Sequence, residues 1–182
     1  MIKLITDRLI IRDYLKDDFT HYHEILSDEK VMYYLQDIKT KNIEESMASF
    51  NKVMDEQKMN DRTWFHFKIE DRITKEFIGC IGFTVTENTH FGKLVHLGYF
   101  LLEKFWNKGF TTEAVKKVIE YAFLEGNVYR IHTGCHKENV TSEKIMQKCG
   151  FIKEAEFVEY ILHDGKLKDR VEYRLLKHEW RR

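Results

Sequence analysis

The residues with the clearest chemical potential surround one glycine, in the stretch Asn107-Lys108-Gly109-Phe110-Thr111-Thr112. Upstream, Leu94 to Leu102 is an apolar run of one strand's length. Downstream, Ala114, Val115, Val118, Ile119 and Ala122 recur at helical spacing. A strand that feeds a glycine-bearing turn and then a helix start leaves several backbone N–H groups unpaired, and the helix dipole adds positive potential. That corner suits an anion such as a pyrophosphate, and Lys108 adds a mobile positive charge beside it. The same letters also describe a plain strand-to-helix connection. A second pair, Asn139 and Ser142, is three residues apart at the head of another helical pattern, so both side chains share a face. Helix capping is the simpler account of that pair taken alone.

Two familiar phosphate motifs are excluded by the letters. A P-loop needs Gly-Lys followed by Ser or Thr, and the order here is Lys108-Gly109-Phe110-Thr111. The dinucleotide fingerprint needs three glycines, and only Gly109 is present.

The elements that must position these residues follow from periodicity. Arg8 to Tyr14 reads as a first strand, with Leu9 and Ile11 on one face. Asp17 and Asp18 open an amphipathic helix carrying Phe19, Tyr22, Ile25 and Leu26 on one side. A short helix is predicted over Glu29 to Leu35, and a clearer one over Asn42 to Gln57 with Thr40 or Asn42 as cap. In the latter, Ile43, Met47, Phe50 and Met54 form a stripe assigned to the core. Thr63 to Glu70 alternates, with Phe65, Phe67 and Ile69 opposite Trp64, His66 and Lys68. Across the turn Asp71 to Glu76 it pairs with Phe77 to Thr86 as a hairpin. Glu87 to Gly92 is read as a turn into the central strand. Gly126 stops the long helix, Tyr129 to His136 is a strand, and Val140 to Cys149 is a short helix ended by Gly150. Phe151 to Leu162 and Lys168 to Leu176 form a final hairpin around His163-Asp164-Gly165. Without repeat, linker or low-complexity tract, residues 1–182 read as one mixed α/β domain.

A length of 182 residues allows one domain with a substantial core, and 43% hydrophobic with 33% charged residues fits a globular protein in water. Zero formal net charge weighs against nucleic-acid binding through a large basic surface. No apolar run approaches the roughly 18 residues that span a bilayer. Lys3, Asp7, Arg8, Arg12 and Asp13 interrupt any signal-peptide core. Cys80, Cys135 and Cys149 form no C-x-x-C pair, so free thiols in a reducing cytoplasm are expected. Proline is absent, and that has no functional account.

The order strand, helices, three-stranded meander, glycine turn into helix, strand, N-x-x-S helix, Gly-Phe and hairpin resembles the GNAT family of N-acetyltransferases, more narrowly its RimJ/RimL-type branch. TDRLIIRDY from Thr6 and ENVTSEKIMQKCGF from Glu138 are similar to that branch, and the resemblance runs from Thr6 to Leu176. It implies a GNAT-like α/β (α+β) fold, a mixed, mostly antiparallel sheet of about seven strands flanked by helices. The family's pyrophosphate turn begins with Gln or Arg and has a second small residue. Trp106 stands at the first position and Thr111 at the second, where the Thr111 or Thr112 hydroxyl can donate instead.

The resemblance further implies a cytoplasmic enzyme that moves an acetyl group from acetyl-CoA to a primary amine by direct attack. No metal and no acyl-enzyme are involved. It assigns Phe100, Leu101 and Leu102 to pantetheine pairing and the oxyanion, and Asn107, Lys108, Gly109, Phe110, Thr111 and Thr112 to the pyrophosphate. Asn139 contacts the pantetheine or the strand opposite, and Ser142 lies near the sulfur. Candidates for the base are His96, Glu87 and a water chain, and an unperturbed histidine side chain titrates near neutral pH. An ordinary strand histidine remains an equal reading of His96. The acceptor is a protein N-terminal α-amine or a small-molecule amine, with specificity expected in Tyr22 to Asp37 and Glu156 to Lys168. The implied partners are acetyl-CoA, that amine and, by family habit, a second copy in a homodimer; no nucleic acid or membrane is implied. A non-catalytic CoA-binding sensor of the same fold is the competing reading.

Overall fold

Alternating apolar side chains build a sheet, and the computed structural model, which describes residues 1–180, contains one of eight strands. They are β1 (Lys3–Ile5), β2 (Leu9–Asp13), β3 (Trp64–Asp71), β4 (Phe77–Thr89), β5 (Gly92–Leu101), β6 (Val128–His136), β7 (Ile152–His163) and β8 (Lys166–Leu176). Helices α1 (Phe19–Ser27), α2 (Ile43–Glu56), α3 (Phe110–Leu124) and α4 (Val140–Lys148) complete the α/β fold, with short 3₁₀ turns at Lys16–Asp18 and Glu103–Phe105. Strand order is β1-β2-β3-β4-β5-β6-β8-β7. The sheet has one strand more than expected. β1 is only three residues long and is held by its register with β2, Lys3 opposite Arg12, which no local periodicity reveals.

The chain forms two compact units, Met1–Thr84 with Gly98–Val118, and Val85–Leu97 with the chain from Ile119 onward. In the first, β1 to β4 pair antiparallel in sequence order. The apolar face of β3, Phe65, Phe67 and Ile69, is buried as its alternation predicts. Its polar face is buried too: His66, Lys68 and Glu70 are each less than a tenth exposed, beneath α1 and α2. Tyr14 contacts Tyr22 of α1 and Phe50 of α2 edge-on, at 5.3 and 5.8 Å.

Asn42 caps α2 by accepting from Glu45 N–H at 2.8 Å. The buried face of α2 is Ser46, Phe50 and Val53, whereas Ile43 and Met47 are exposed. Ser46 takes the inward position because its hydroxyl meets Thr40 Oγ1 at 2.6 Å and His23 Nδ1 at 2.7 Å. Residues 29–34 form turns, and no helix is present over the predicted stretch Glu29 to Leu35. Asp28 Oδ1 accepts from both Lys30 N–H and Val31 N–H at 2.9 Å, offering the backbone an alternative to helical bonding.

Opposite His66 stands Gly82. A Cβ there would drive into the Phe65 carbonyl, against backbone that cannot yield. Gly82→Ala should therefore lower stability by about 2 kcal/mol or more, read as a fall in the denaturation midpoint.

In the second unit, β5 pairs with β6 in parallel from Lys93 to His96, and β8 lies antiparallel between β6 and the outermost strand β7. Glu87 belongs to β4, which continues to Thr89, so the predicted turn shortens to His90-Phe91. The final hairpin turns at Asp164-Gly165, both at positive φ. All three cysteines are buried, and among the described residues none forms a disulfide.

Candidate active site

In the first unit the end of β5 is fixed from both sides. Leu102 N–H donates to Ile78 O at 3.0 Å, and Trp106 Nε1–H donates to Leu101 O at 2.7 Å. Phe100 meets the His66 ring edge-on at 6.1 Å. The chain then reverses through Asn107 and Gly109, with φ of 59° and 79°. Asn and Gly are the residues that enter the left-handed region most easily. α3 starts at once, at Phe110, with Glu113 N–H donating to Gly109 O at 3.1 Å. Thr111 and Thr112 lie in its first turn. N–H groups at a helix start lack intrahelical acceptors, and Lys108 has no carboxylate partner among the described residues. The corner therefore carries positive potential suited to an anion.

What holds this turn was not read from the sequence. Glu113 reaches back to the strand-entry segment. Its Oε1 accepts from Thr6 Oγ1 at 2.5 Å and from Arg8 N–H at 3.1 Å, and its Oε2 accepts from Arg8 Nε–H at 2.7 Å. Arg8 Nη1–H donates to Lys108 O at 3.0 Å, and the guanidinium lies 4.4 Å from the Phe110 ring centroid. Burial works against the Glu113 charge, yet the bonds from Thr6 and Arg8 bring its pKa below the usual range. The available signals were the Thr6-x-Arg8 spacing and an acidic residue in the first helical turn. Neither names its partner.

The second unit holds the other predicted residues. Asn139 caps α4, its Oδ1 accepting from Ser142 N–H at 3.1 Å, so the capping account of this pair is correct as far as that oxygen goes. The Ser142 hydroxyl hydrogen-bonds the Cys135 thiol. Burial pushes that thiol up to about 11 against the Ser142 bond, leaving Cys135 protonated at neutral pH. Tyr173 steadies α4 by donating to Glu143 at 2.7 Å and accepting from Gln147 at 3.2 Å. His96 lies in register with His132, ring centroids 5.1 Å apart, and burial lowers the His132 pKa. The structure thus groups Phe100 to Leu102 with Asn107 to Thr112 in one unit, and Asn139 with Ser142 in the other, while Glu87 lies on an exposed stretch of β4.

Among the described residues no helix is long and apolar enough to cross a membrane, and no cluster of three or more His, Cys, Asp or Glu is placed to hold a metal. Comparison with known proteins agrees with the architecture. In Bacillus subtilis (strain 168), the uncharacterized N-acetyltransferase YoaA is 30% identical over 174 residues, covering 96% of each chain. Two solved structures, each 20% identical, share the fold at a TM-score of 0.83. One is a ribosomal-protein-S5-alanine acetyltransferase from Vibrio fischeri, covering 100% of both chains. The other is a spermidine N-acetyltransferase from Vibrio cholerae in complex with CoA and spermine, covering 96% of this chain and 98% of that one. The family model for the acetyltransferase (GNAT) domain matches residues 8–152, a span that begins at Arg8 and takes in the Gly109 turn and all of α4. With that match over most of its length, the chain belongs to the GNAT acetyltransferase family.

Proposed function

We propose that this protein transfers the acetyl group of acetyl-CoA to a primary amine by direct attack of the amine on the thioester. The observation that supports the reading is the Gly109 turn, which leads directly into a helix start of the kind that suits an anion and is braced by Arg8 and Glu113. In this reading the diphosphate lies on Asn107 to Thr112, with Lys108 as its mobile counter-charge.

The end of β5 supplies the thioester end. Leu102 N–H is committed to Ile78, and N–H groups alternate along a strand, so the Leu101 N–H points to the opposite edge. Leu101 N–H is therefore the donor proposed for the developing oxyanion, rigidly placed because Trp106 holds the same residue's carbonyl. Ser142 is assigned to the departing thiolate. A thiol titrates at about 8.5, far below a serine hydroxyl, so Ser142 hydrogen-bonds or relays a proton rather than losing one outright. His96 is the proposed proton acceptor, with Glu87 and water as alternatives. The relatives' names bracket the acceptor between a polyamine and an alanyl N-terminus. An α-amine, titrating at about 8, needs less help from a base than a lysine at about 10.4, so a lightly furnished base site favours α-amines.

The test is release of free thiol from acetyl-CoA against a panel holding spermidine, amino acids and an alanine-initiated peptide, with acetylation read as mass gain. Ser142→Ala should lower turnover about 10- to 100-fold while leaving the melting temperature almost unchanged. Asn139→Ala should cost turnover and also about 1 kcal/mol of stability through the lost cap. Absence of both thiol release and any CoA-induced thermal shift would overturn the reading.

A further inference from the structure

We propose that Arg8 is itself a ligand of the acetyl-CoA diphosphate, in addition to bracing the turn; this rests on the diphosphate being carried at Gly109. A guanidinium has five N–H donors. In Arg8 the Nε–H and one Nη2–H are directed to Glu113 Oε2, both at 2.7 Å, and one Nη1–H goes to Lys108 O at 3.0 Å. Among the described residues one N–H on each terminal nitrogen is left without an acceptor, and the side chain is 47% exposed. Arg8 Nη2 lies 3.5 Å from where a Cβ on Gly109 would stand. An anion seated on the Gly109 corner is therefore within reach of those two donors.

The carboxylate does not cancel this. Both Glu113 oxygens face donors from Thr6 and Arg8, which turns the negative group toward the strand entry and leaves the guanidinium outward. The Phe110 ring beneath the guanidinium fixes its plane, and Phe105 packs edge-on against Phe110 at 6.0 Å. A planar fork with two outward N–H groups matches paired phosphate oxygens in a way that a lysine's point charge does not. Lys108 and Arg8 then play different parts, one a mobile charge and the other a preset fork.

The experiment compares affinities for CoA and for pantetheine, which has the same thiol arm but lacks the diphosphate. It uses calorimetry on the parent, Arg8→Gln, Arg8→Lys and Gly109→Val, with each unliganded melting temperature recorded. The parent should bind CoA more tightly than pantetheine. Arg8→Gln should weaken CoA about 10- to 100-fold and leave pantetheine unchanged, with Arg8→Lys recovering only part of the loss. Equal weakening of both ligands by Arg8→Gln would show a bracing role alone and overturn the proposal, as would no weakening of CoA or full recovery by Arg8→Lys. If the parent fails to prefer CoA, or Gly109→Val keeps full CoA affinity, the diphosphate assignment fails instead. Should Arg8→Gln not fold, the Arg8→Lys ratio of CoA to pantetheine affinity decides in the same way: a selective loss of CoA supports ligation, and an unchanged ratio overturns it.

Discussion

Replacing Asp18 by alanine is expected to lower stability by about 3–5 kcal/mol at neutral pH, the usual cost of stranding one partner of a buried ion pair. Asp18 sits with Glu70 between two cations. Arg12 donates to Asp18 at 2.6 and 3.1 Å and to Glu70 at 3.0 and 2.7 Å. Lys68, whose side chain is 3% exposed, contacts Asp18 at 2.7 Å and Glu70 at 2.9 Å. Two positive and two negative charges balance in this pocket. Removing one carboxylate leaves an unpaired positive charge that α1 and the sheet keep from water. Lys68 Nζ also lies 3.1 Å from His21 Nδ1, which therefore acts as an acceptor and stays neutral.

The same group makes the protein acid-sensitive. Burial opposes ionisation of Asp18, but the bonds from Arg12 and Lys68 win and lower its pKa from 3.8 to about 2. A lowered carboxylate pKa contributes stability that is complete above the unfolded value and is lost as pH falls through the folded one. The window is pH 4 to 2, and the shift is worth about 2 kcal/mol. Urea denaturation at pH 7 and through that window checks both statements. A loss below about 1 kcal/mol for Asp18→Ala would mean that water reaches the network.

The second large effect lies at milder pH. Protonation of His66 should cost the fold about 3 kcal/mol as pH falls from 6.5 to 4. Burial, then the positive charge of Arg62, lowers its pKa from 6.5 to about 4. Among the described residues its Nδ1 has no hydrogen-bond partner, and the ring is enclosed by Tyr14, Tyr22, Trp64 and Phe100 at 5.6 to 6.1 Å. The sign follows from proton counting. Between those two pH values the unfolded chain binds a proton that the folded chain refuses, so stability rises with pH across the window. His66→Leu should flatten that part of the profile. His21 and His132 are lowered by burial too, so the comparison is the difference between variant and parent at each pH. Parallel profiles for the two proteins would show that His66 takes no part.

These two sites mark where reading the letters stops. α3 was legible because Ala114, Val115, Val118, Ile119 and Ala122 repeat at the period of one helix face, and all five are buried. Asn42 was legible as a cap because its partner, Glu45, is three residues away. The family order could be followed along the chain for the same reason: each of its signals is local. The burial of Lys68 and Glu70 was not legible. Their alternation with Phe67 and Ile69 reads as a wet face, and only the packing of α1 and α2 over β3 turns it into a dry one.

Composition and local pattern determined the α/β class, most of the element boundaries and the glycine turn, and the family was reached through the resemblance of motifs in their order along the chain. Tertiary structure alone decided that Glu113 is held by Arg8, that Asp18 is held by Lys68, and that Ser46 rather than Met47 faces inward on α2. The physical reason is range. Backbone preference and helix period act over a few residues, whereas a charge finds its partner through chain reversals that bring residues 105 or 50 positions apart to hydrogen-bonding distance.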